Sequence, residues 1–330
     1  MSMHTAYTPC TLCPRNCGAD RLGGKTGYCG ETAALRIAAA SIHRGEEPPV
    51  TGSGGSGTIF ISGCNLGCGF CQNYQISQEG MGNTLSLEAF ARLCLVLQQE
   101  GAENINLVTG SHAAPALAAG IQQARSQGLS IPVLWNSSAY ELPGTLSLME
   151  SVLDGYLPDL KTLDPVLGDR LFNAPDYPAH AEKAILWMLE TCPLRFNAAQ
   201  RVVSGVIIRH LVLPGYLEST KRVLQWFAEK AQGRALLSVM MQYTPVRGDT
   251  PPKPPQGSPG PGTLERQVNI QEYEQVLDWL DTFAITEGFY QELVPDTGWL
   301  PDFSRVQPFS SELSRSIWHW KAGYGAIADP

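Results

Sequence analysis

TIFISGCNLGCGFCQN, residues 58–73, joins a short apolar run to three cysteines, Cys64, Cys68 and Cys71, set among glycines. The run is brief and β-rich, as expected of a strand buried on both faces. The stretch that follows, SLEAFARLCLVLQQEG, repeats its apolar residues at helical spacing. The same couple recurs along the chain. NINLVTG precedes PALAAGIQQARSQG, IPVLWNS precedes GTLSLMESVLDG, and YLPDLK precedes AEKAILWMLETC. SGVIIRHLVL then precedes LESTKRVLQWFAEKAQG. Last, ALLSVMMQYT precedes NIQEYEQVLDWLDTFA, where Tyr273, Val276, Leu277, Leu280 and Phe283 share one helix face. Six strand–helix units imply a parallel sheet with helices outside, in an open sheet or a barrel. No strand before residue 58 supplies the two further units of a full eight-unit barrel. The expected fold is therefore α/β, a partial (β/α)6 TIM-like barrel.

The three cysteines follow their strand directly. They belong on the loop at its carboxyl end, where parallel α/β folds place reactive groups. Gly63, Gly67 and Gly69 permit sharp turns and leave room for metal and sulfide. The chain has nine cysteines, an odd number, and no export signal, which argues against a disulfide framework. Zinc would need a fourth ligand, and the next histidine is His112. Core packing is a poor account of three cysteines in a glycine-rich turn. A 4Fe–4S cluster held by three thiolates, with one iron left open, fits the pattern better.

A second group, CTLCPRNCGADRLGGKTGYCG at residues 10–30, supplies Cys10, Cys13, Cys17 and Cys29. Four thiolates so spaced describe a closed metal site in a small N-terminal module. Zinc and a second 4Fe–4S cluster are both compatible. Zinc would only fold the module, whereas a cluster close enough to the first could relay an electron to it. Arg15, Arg21 and Lys25 lie among these thiolates, either offsetting their charge or simply solvated. Cys94 falls in step with Leu87, Phe90 and Leu97 on a helix face and reads as core, and Cys192 reads as structural.

The 330 residues carry a formal charge of −8, which gives no footprint for nucleic acid. No stretch reaches the roughly 18 apolar residues of a spanning helix, so neither membrane nor export is expected, and the default location is cytoplasmic. The expected organisation is a cysteine-rich metal module over 1–45, a Gly/Pro-rich connection over 46–57, the barrel over 58–288, and an extension over 289–330 packing on it. The connection, EEPPVTGSGGSG, reads either as a flexible linker or as backbone passing close to a ligand. PVRGDTPPKPPQGSPGPG, 245–262, reads as a lid or a solvated excursion. The tail brings Trp299, Trp318 and Trp320, expected to pack on the barrel.

CNLGCGFC, with C-x3-C-x2-C spacing and an aromatic residue before the third cysteine, resembles the radical S-adenosylmethionine (SAM) superfamily. The likeness is nearest to its pyruvate formate-lyase activating enzyme-like branch. GEEPPVTGSGGSGTIFISGCNLGCGFCQN, INLVTGSHAAP, VLWNSSAYE, YLPDLKT, IRHLVLPG and SVMMQYTP carry the same likeness in order from the connection to the sixth strand. The resemblance implies a 4Fe–4S cluster on Cys64, Cys68 and Cys71 whose open iron chelates SAM. It also implies reductive cleavage of SAM to a 5'-deoxyadenosyl radical that takes a hydrogen atom from a substrate. In activating enzymes that hydrogen comes from a glycine of a partner enzyme. A flavodoxin or ferredoxin would serve as reductant, and a protein or peptide glycine is one expected substrate. The alternative readings are radical SAM modification of a small molecule or ribosomal peptide, and an iron–sulfur electron-transfer or assembly protein that does not cleave SAM.

The resemblance further implies cofactor contacts at strand ends. Thr109, Gly110 and Ser111 stand where the superfamily has a Gly-Gly-Glu segment that TGS does not match, so backbone carbonyls and the Ser111 hydroxyl are the expected substitutes. Asn136 and Ser137 would meet the ribose or carboxylate. Asp159 and Lys161, alternate residues on one strand face, would point inward together, as cofactor contacts or as a buried ion pair. His210 would pack on the cofactor or serve as a structural histidine. Gln242 and Tyr243 would reach cofactor or substrate. Gln72 and Asn73 would line the adenine side or cap a turn. His43, Glu46 and Glu47 would offer substrate contacts or form an acidic turn.

Overall fold

The computed structural model describes residues 6–246, 264–294 and 299–324. From residue 247 the proline-rich segment therefore lies outside the described residues. All six expected strands form, as β2 (Ser56–Ile61), β4 (Ile105–Val108), β5 (Val133–Ser137), β6 (Gly155–Pro158), β8 (Val202–Leu211) and β9 (Leu236–Met240). They lie side by side in that order, and every neighbouring pair is parallel. This is the α/β partial barrel that the alternating pattern implies. A short strand β10 (Gly288–Tyr290) continues the parallel set beyond β9.

The other edge is antiparallel. β1 (Leu35–His43) runs against β2, β3 (Asn83–Leu85) pairs with the start of β1, and β11 (Ser314–His319) covers its far side, followed by β12 (Gly323–Tyr324). The two-residue strand β7 (Arg195–Phe196) pairs with β8. The apolar run LRIAAASI is thus a full member of the sheet, and the tail's Trp318 is buried in β11.

Helices cover the outer face because their apolar residues repeat on one side. Helix Leu87–Gln99 starts on Ser86, whose hydroxyl accepts the Ala89 N–H, and buries Phe90, Leu93, Cys94 and Leu97. Cys94 is a core residue, as its spacing implies. Helix Ile270–Thr282 opens on a reciprocal cap between Asn269 and Glu272. Cys192 ends helix Tyr177–Thr191 and accepts the Gly205 N–H on its sulfur.

Residues 46–57 do not run as an extended linker. They form the helix Pro48–Thr51, and Asn104 donates to the carbonyl of Val50 at 2.7 Å. Val50 is buried against Leu134, Leu157, Val202 and Ile207. Leu134, Leu157 and Ile207 share strand faces with Asn136, Asp159 and Arg209, since alternate residues point the same way. One layer up, Glu46 and Glu47 meet Arg209 of β8. The segment therefore plugs the lower end of the barrel, and what lies above the plug becomes a cavity.

Candidate active site

That cavity has a volume of about 630 Å³ and is walled by the carboxyl ends of the parallel strands. Cys64, Cys68 and Cys71 lie on its wall together with Thr109, Asn136, Ser137, Asp159, Lys161 and Gln242. Gln72, Asn73, His43, Glu46 and Glu47 line it as well.

The loop after β2 is held from several sides. Gly63 has φ +83° and lies so close to the N-terminal module that a β-carbon there would fall 2.4 Å from Cγ of Glu31 and 2.8 Å from the Cys29 carbonyl. The Leu66 N–H donates to Cys64 Sγ at 3.3 Å, the Cys71 N–H donates to the Cys68 carbonyl at 3.2 Å, and Gln78 donates to the same carbonyl at 2.8 Å. Phe70, the aromatic residue before the third cysteine, packs edge-on against Phe172 and Tyr243. Burial raises the pKa of the Cys68 and Cys71 thiols. Bare thiolates are disfavoured there, so holding all three charged calls for a compensating metal charge.

Across the cavity the Lys161 ammonium sits 2.6 Å from the Asp159 carboxylate. Burial opposes the Lys161 charge, but Asp159 outweighs it and the pKa is raised. Lys161 lies near enough to Cys68 to favour its thiolate. Thr109 ends β4 with φ +63°, unusual for a β-branched residue, and its N–H donates to the Asn136 carbonyl at 2.8 Å.

Other expected contacts are not brought to the cavity. Gly110 faces the core, where a β-carbon would meet Leu117 and Trp135 at under 3 Å. Ser111 donates its hydroxyl to Glu141 at 2.7 Å. His210 alternates with Arg209 and Leu211 and so points away from them. Its Nδ1 pairs with the Leu160 carbonyl at 2.7 Å and its Nε2 with the Thr220 hydroxyl at 3.0 Å, which is the structural reading of that histidine. Tyr243 is buried and donates to the Leu264 carbonyl.

Two groups carry no sequence-level expectation of their own. Arg209 donates from Nε to Glu47 at 2.8 Å and reaches Glu46 at 2.5 Å, and Asn106 donates to Glu46 at 3.0 Å. Burial works against the Glu47 carboxylate, yet Arg209 overrides it and holds the pKa low. Glu141 is buried and accepts from Ser111, Trp135 and Ser137 at 2.7–2.8 Å, tying the ends of β4 and β5 together. Burial raises its pKa against those three donors. Arg209 lies within IRHLVLPG and Glu141 within VLWNSSAYE, but only the closed sheet shows what each faces.

The sequence matches the family model of the radical SAM superfamily over residues 58–227, more than half of the chain. The chain belongs to the radical SAM superfamily. Among curated proteins it is 28% identical over 246 residues to the uncharacterised protein MJ0674 of Methanocaldococcus jannaschii, covering 72% of this chain and 67% of that protein. Among solved structures it is similar to Streptococcus suis SuiB bound to S-adenosylmethionine, at 14% identity and a TM-score of 0.47. That likeness covers 69% of this chain and 48% of SuiB, so the chain spans about half of SuiB's length. It is also similar to a domain of pyruvate-formate lyase-activating enzyme from Bacteroides vulgatus, at 12% identity and a TM-score of 0.39, covering 54% of this chain and 91% of that domain.

Membership of the radical SAM superfamily implies a 4Fe–4S cluster and SAM. Among the described residues no three Cys, His, Asp or Glu side chains meet as a single-ion site. Three cysteines lining one cavity of about 630 Å³ are instead a donor set suited to a larger cluster with an open iron. The residues present fit the group.

Proposed function

We propose that this radical SAM protein binds SAM in the barrel cavity at a 4Fe–4S cluster held by Cys64, Cys68 and Cys71. The cluster and SAM together supply reductive cleavage of the sulfonium to methionine and a 5'-deoxyadenosyl radical that takes a hydrogen atom from the substrate. The carrying observation is that the three thiols, on the loop after one strand, line the same cavity as the Asp159–Lys161 pair, with Lys161 near enough to Cys68 to favour its thiolate.

The chain's own residues bind and orient. Thr109 offers its backbone to the methionyl group, and Asn136 and Ser137 offer polar side chains to the ribose or carboxylate. Lys161, kept protonated by Asp159, suits the SAM carboxylate. Gln242, held by Gln291 at 2.9 Å, faces the same space. Phe289, Tyr290, Trp299 and Phe309 give the cavity an aromatic border that limits water around a radical.

The substrate belongs to the same proposal. The ordered motifs favour an activating enzyme-like reaction on a glycine of a protein or peptide. Tyr290, 54% exposed beside the cavity, offers an aromatic surface to an extended chain. A reduced flavodoxin or ferredoxin would provide the electron, in the cytoplasm, and Cys10, Cys13, Cys17 and Cys29 would hold a second cluster or zinc. Among the described residues no helix is long and apolar enough to cross a membrane.

The test is direct. Anaerobically reconstituted protein given dithionite and SAM should release 5'-deoxyadenosine and methionine, and alanine at Cys64, Cys68 or Cys71 should abolish release. A fully loaded cluster with no release would sink the proposal. A glycyl radical signal on a candidate partner, against a mass shift on a small molecule or peptide, separates activation from modification.

A further inference from the structure

The N-terminal quartet is not a detached module. The Cys64 N–H donates to the Cys29 carbonyl at 3.3 Å, which joins one cysteine of each group through a single hydrogen bond. The side chain of Asn65, the residue after Cys64, also lies beside the Cys13 sulfur and favours its thiolate. Arg15, between Cys13 and Cys17, donates to the carbonyls of Asn65 at 2.9 Å and Leu66 at 3.1 Å. The quartet thus rests on the loop that carries the triad.

Three of its sulfurs, those of Cys10, Cys17 and Cys29, lie near one buried cation. Arg21, 2% exposed, donates to Cys10 Sγ at 3.6 Å and feels the charge of Cys29. A β-carbon at Gly27 would lie 3.1 Å from Cys17 Sγ and 3.5 Å from Cys29 Sγ. Cys10 lies near enough to Cys17 to favour its thiolate, and Cys13 feels the charges of Cys10 and Cys29. Three of the four are buried, while Cys17 is exposed. The result is a group of four neighbouring thiols, one of them exposed and one whose backbone touches the triad loop.

We propose that this quartet holds an iron–sulfur cluster that receives single electrons at Cys17 and passes them to the Cys64, Cys68 and Cys71 site. The proposal rests on the reading of the triad as a cluster. The path runs from Cys29 Sγ through its own backbone carbonyl, across the hydrogen bond, and along the Cys64 backbone to Cys64 Sγ. In each transfer the quartet cluster is oxidised by one electron, the triad cluster is reduced by one, and a reduced flavodoxin or ferredoxin restores the quartet. No proton or leaving group moves. Zinc has no accessible second oxidation state and could not use this contact.

The test uses anaerobically reconstituted full-length protein, first for metal content. Two cubane sites would hold about eight irons per chain, falling to about four when Cys10, Cys13, Cys17 and Cys29 are all replaced by alanine. That variant should keep its SAM affinity by calorimetry, while reduction of the triad cluster by flavodoxin slows on the order of tenfold or more. Zinc retained in the quartet after iron loading, or an unchanged reduction rate without the quartet, would overturn the proposal. Should the variant not fold, electron paramagnetic resonance of the reduced wild-type protein decides. Magnetic coupling between two clusters supports the relay, and two uncoupled signals refute it. Absence of iron at the triad in wild-type protein would instead defeat the reading of the active site.

Discussion

Arg209 donates from Nε to the Glu47 carboxylate at 2.8 Å, and that bond turns a segment rich in glycine and proline into the floor of the barrel. Glu46 accepts from the same guanidinium, so two carboxylates share one buried cation. Arg209→Leu would leave both buried without a cation. Removing one member of such a group typically costs about 3–5 kcal/mol, and urea unfolding of the variant should show a loss of that order. The Glu47 pKa is held below its unfolded value. Its stabilising contribution is therefore present above about pH 4.3 and is lost as pH falls through the lower folded-state value. Arg209→Leu should flatten the acid side of the stability curve.

Glu141 makes the opposite pH prediction. Its carboxylate takes three donors and no cation, and burial holds its pKa above the unfolded value. A carboxyl raised in this way contributes stability below its unfolded pKa and loses it as pH rises through the folded one. Glu141→Gln has no such titration. The stability of wild-type protein relative to Glu141→Gln should accordingly fall as pH rises above about 4.3, measured by denaturation across pH. Glu141→Leu should cost about 1–3 kcal/mol by orphaning the buried donors, and should weaken SAM binding because Ser137 lines the cavity.

The contrast between these residues shows what the sequence could carry. Six strands and their order were legible because each apolar run is bounded by turns and followed by a helical repeat. That Cys64, Cys68 and Cys71 come together was legible because they lie within eight residues of one another, and Asp159 with Lys161 because alternate strand residues share a face; all five line one cavity. Arg209 and Glu141 were not, since their importance depends on partners that meet only when the sheet curls. The segment 46–57 left two readings open, a flexible linker and backbone close to a ligand, and its Glu46, Glu47 and Pro48 line the cavity. Composition alone does not separate the two, and the burial of Val50 among Leu134, Leu157 and Ile207 is what fixes the segment in place. For His210 two readings were open, cofactor packing and a structural role, and parity separates them only in the structure, because one step along β8 moves a side chain from the cavity to the opposite face.

His210 is therefore expected to matter for stability more than for the cofactor. Burial lowers its pKa to about 4. A depressed value means the neutral ring stabilises the fold above its unfolded pKa, with the contribution lost as pH falls from about 6.5 toward 4. His210→Ala should destabilise the protein by about 1–3 kcal/mol through the unpaired Leu160 carbonyl and Thr220 hydroxyl. SAM affinity of the reconstituted variant should stay within about twofold of wild type, or less than about 0.5 kcal/mol. A much larger loss of affinity, with folding intact, would return His210 to the binding site.

Arg15 makes the sharpest demand on side-chain shape. Its guanidinium lies 3.9 Å above the Tyr28 ring and donates to backbone carbonyls of Asn65, Leu66, Phe172 and Asn173. These carbonyls belong to two segments, the triad loop and the end of helix Pro165–Phe172, so one fork fixes both. Lysine has a compact ammonium that cannot span this set, and Arg15→Lys should behave nearly as badly as Arg15→Ala. Hydrogen bonds to a charged group are each worth about 1.5–3 kcal/mol when made, and part of that is regained from water once the loop loosens. A net loss of about 2–4 kcal/mol is expected for either variant by urea unfolding. The triad loop, freed on one side, should also lose iron faster to a chelator. Equal chelation rates in wild type and Arg15→Lys would show instead that the helix and the cysteines hold the loop without the fork.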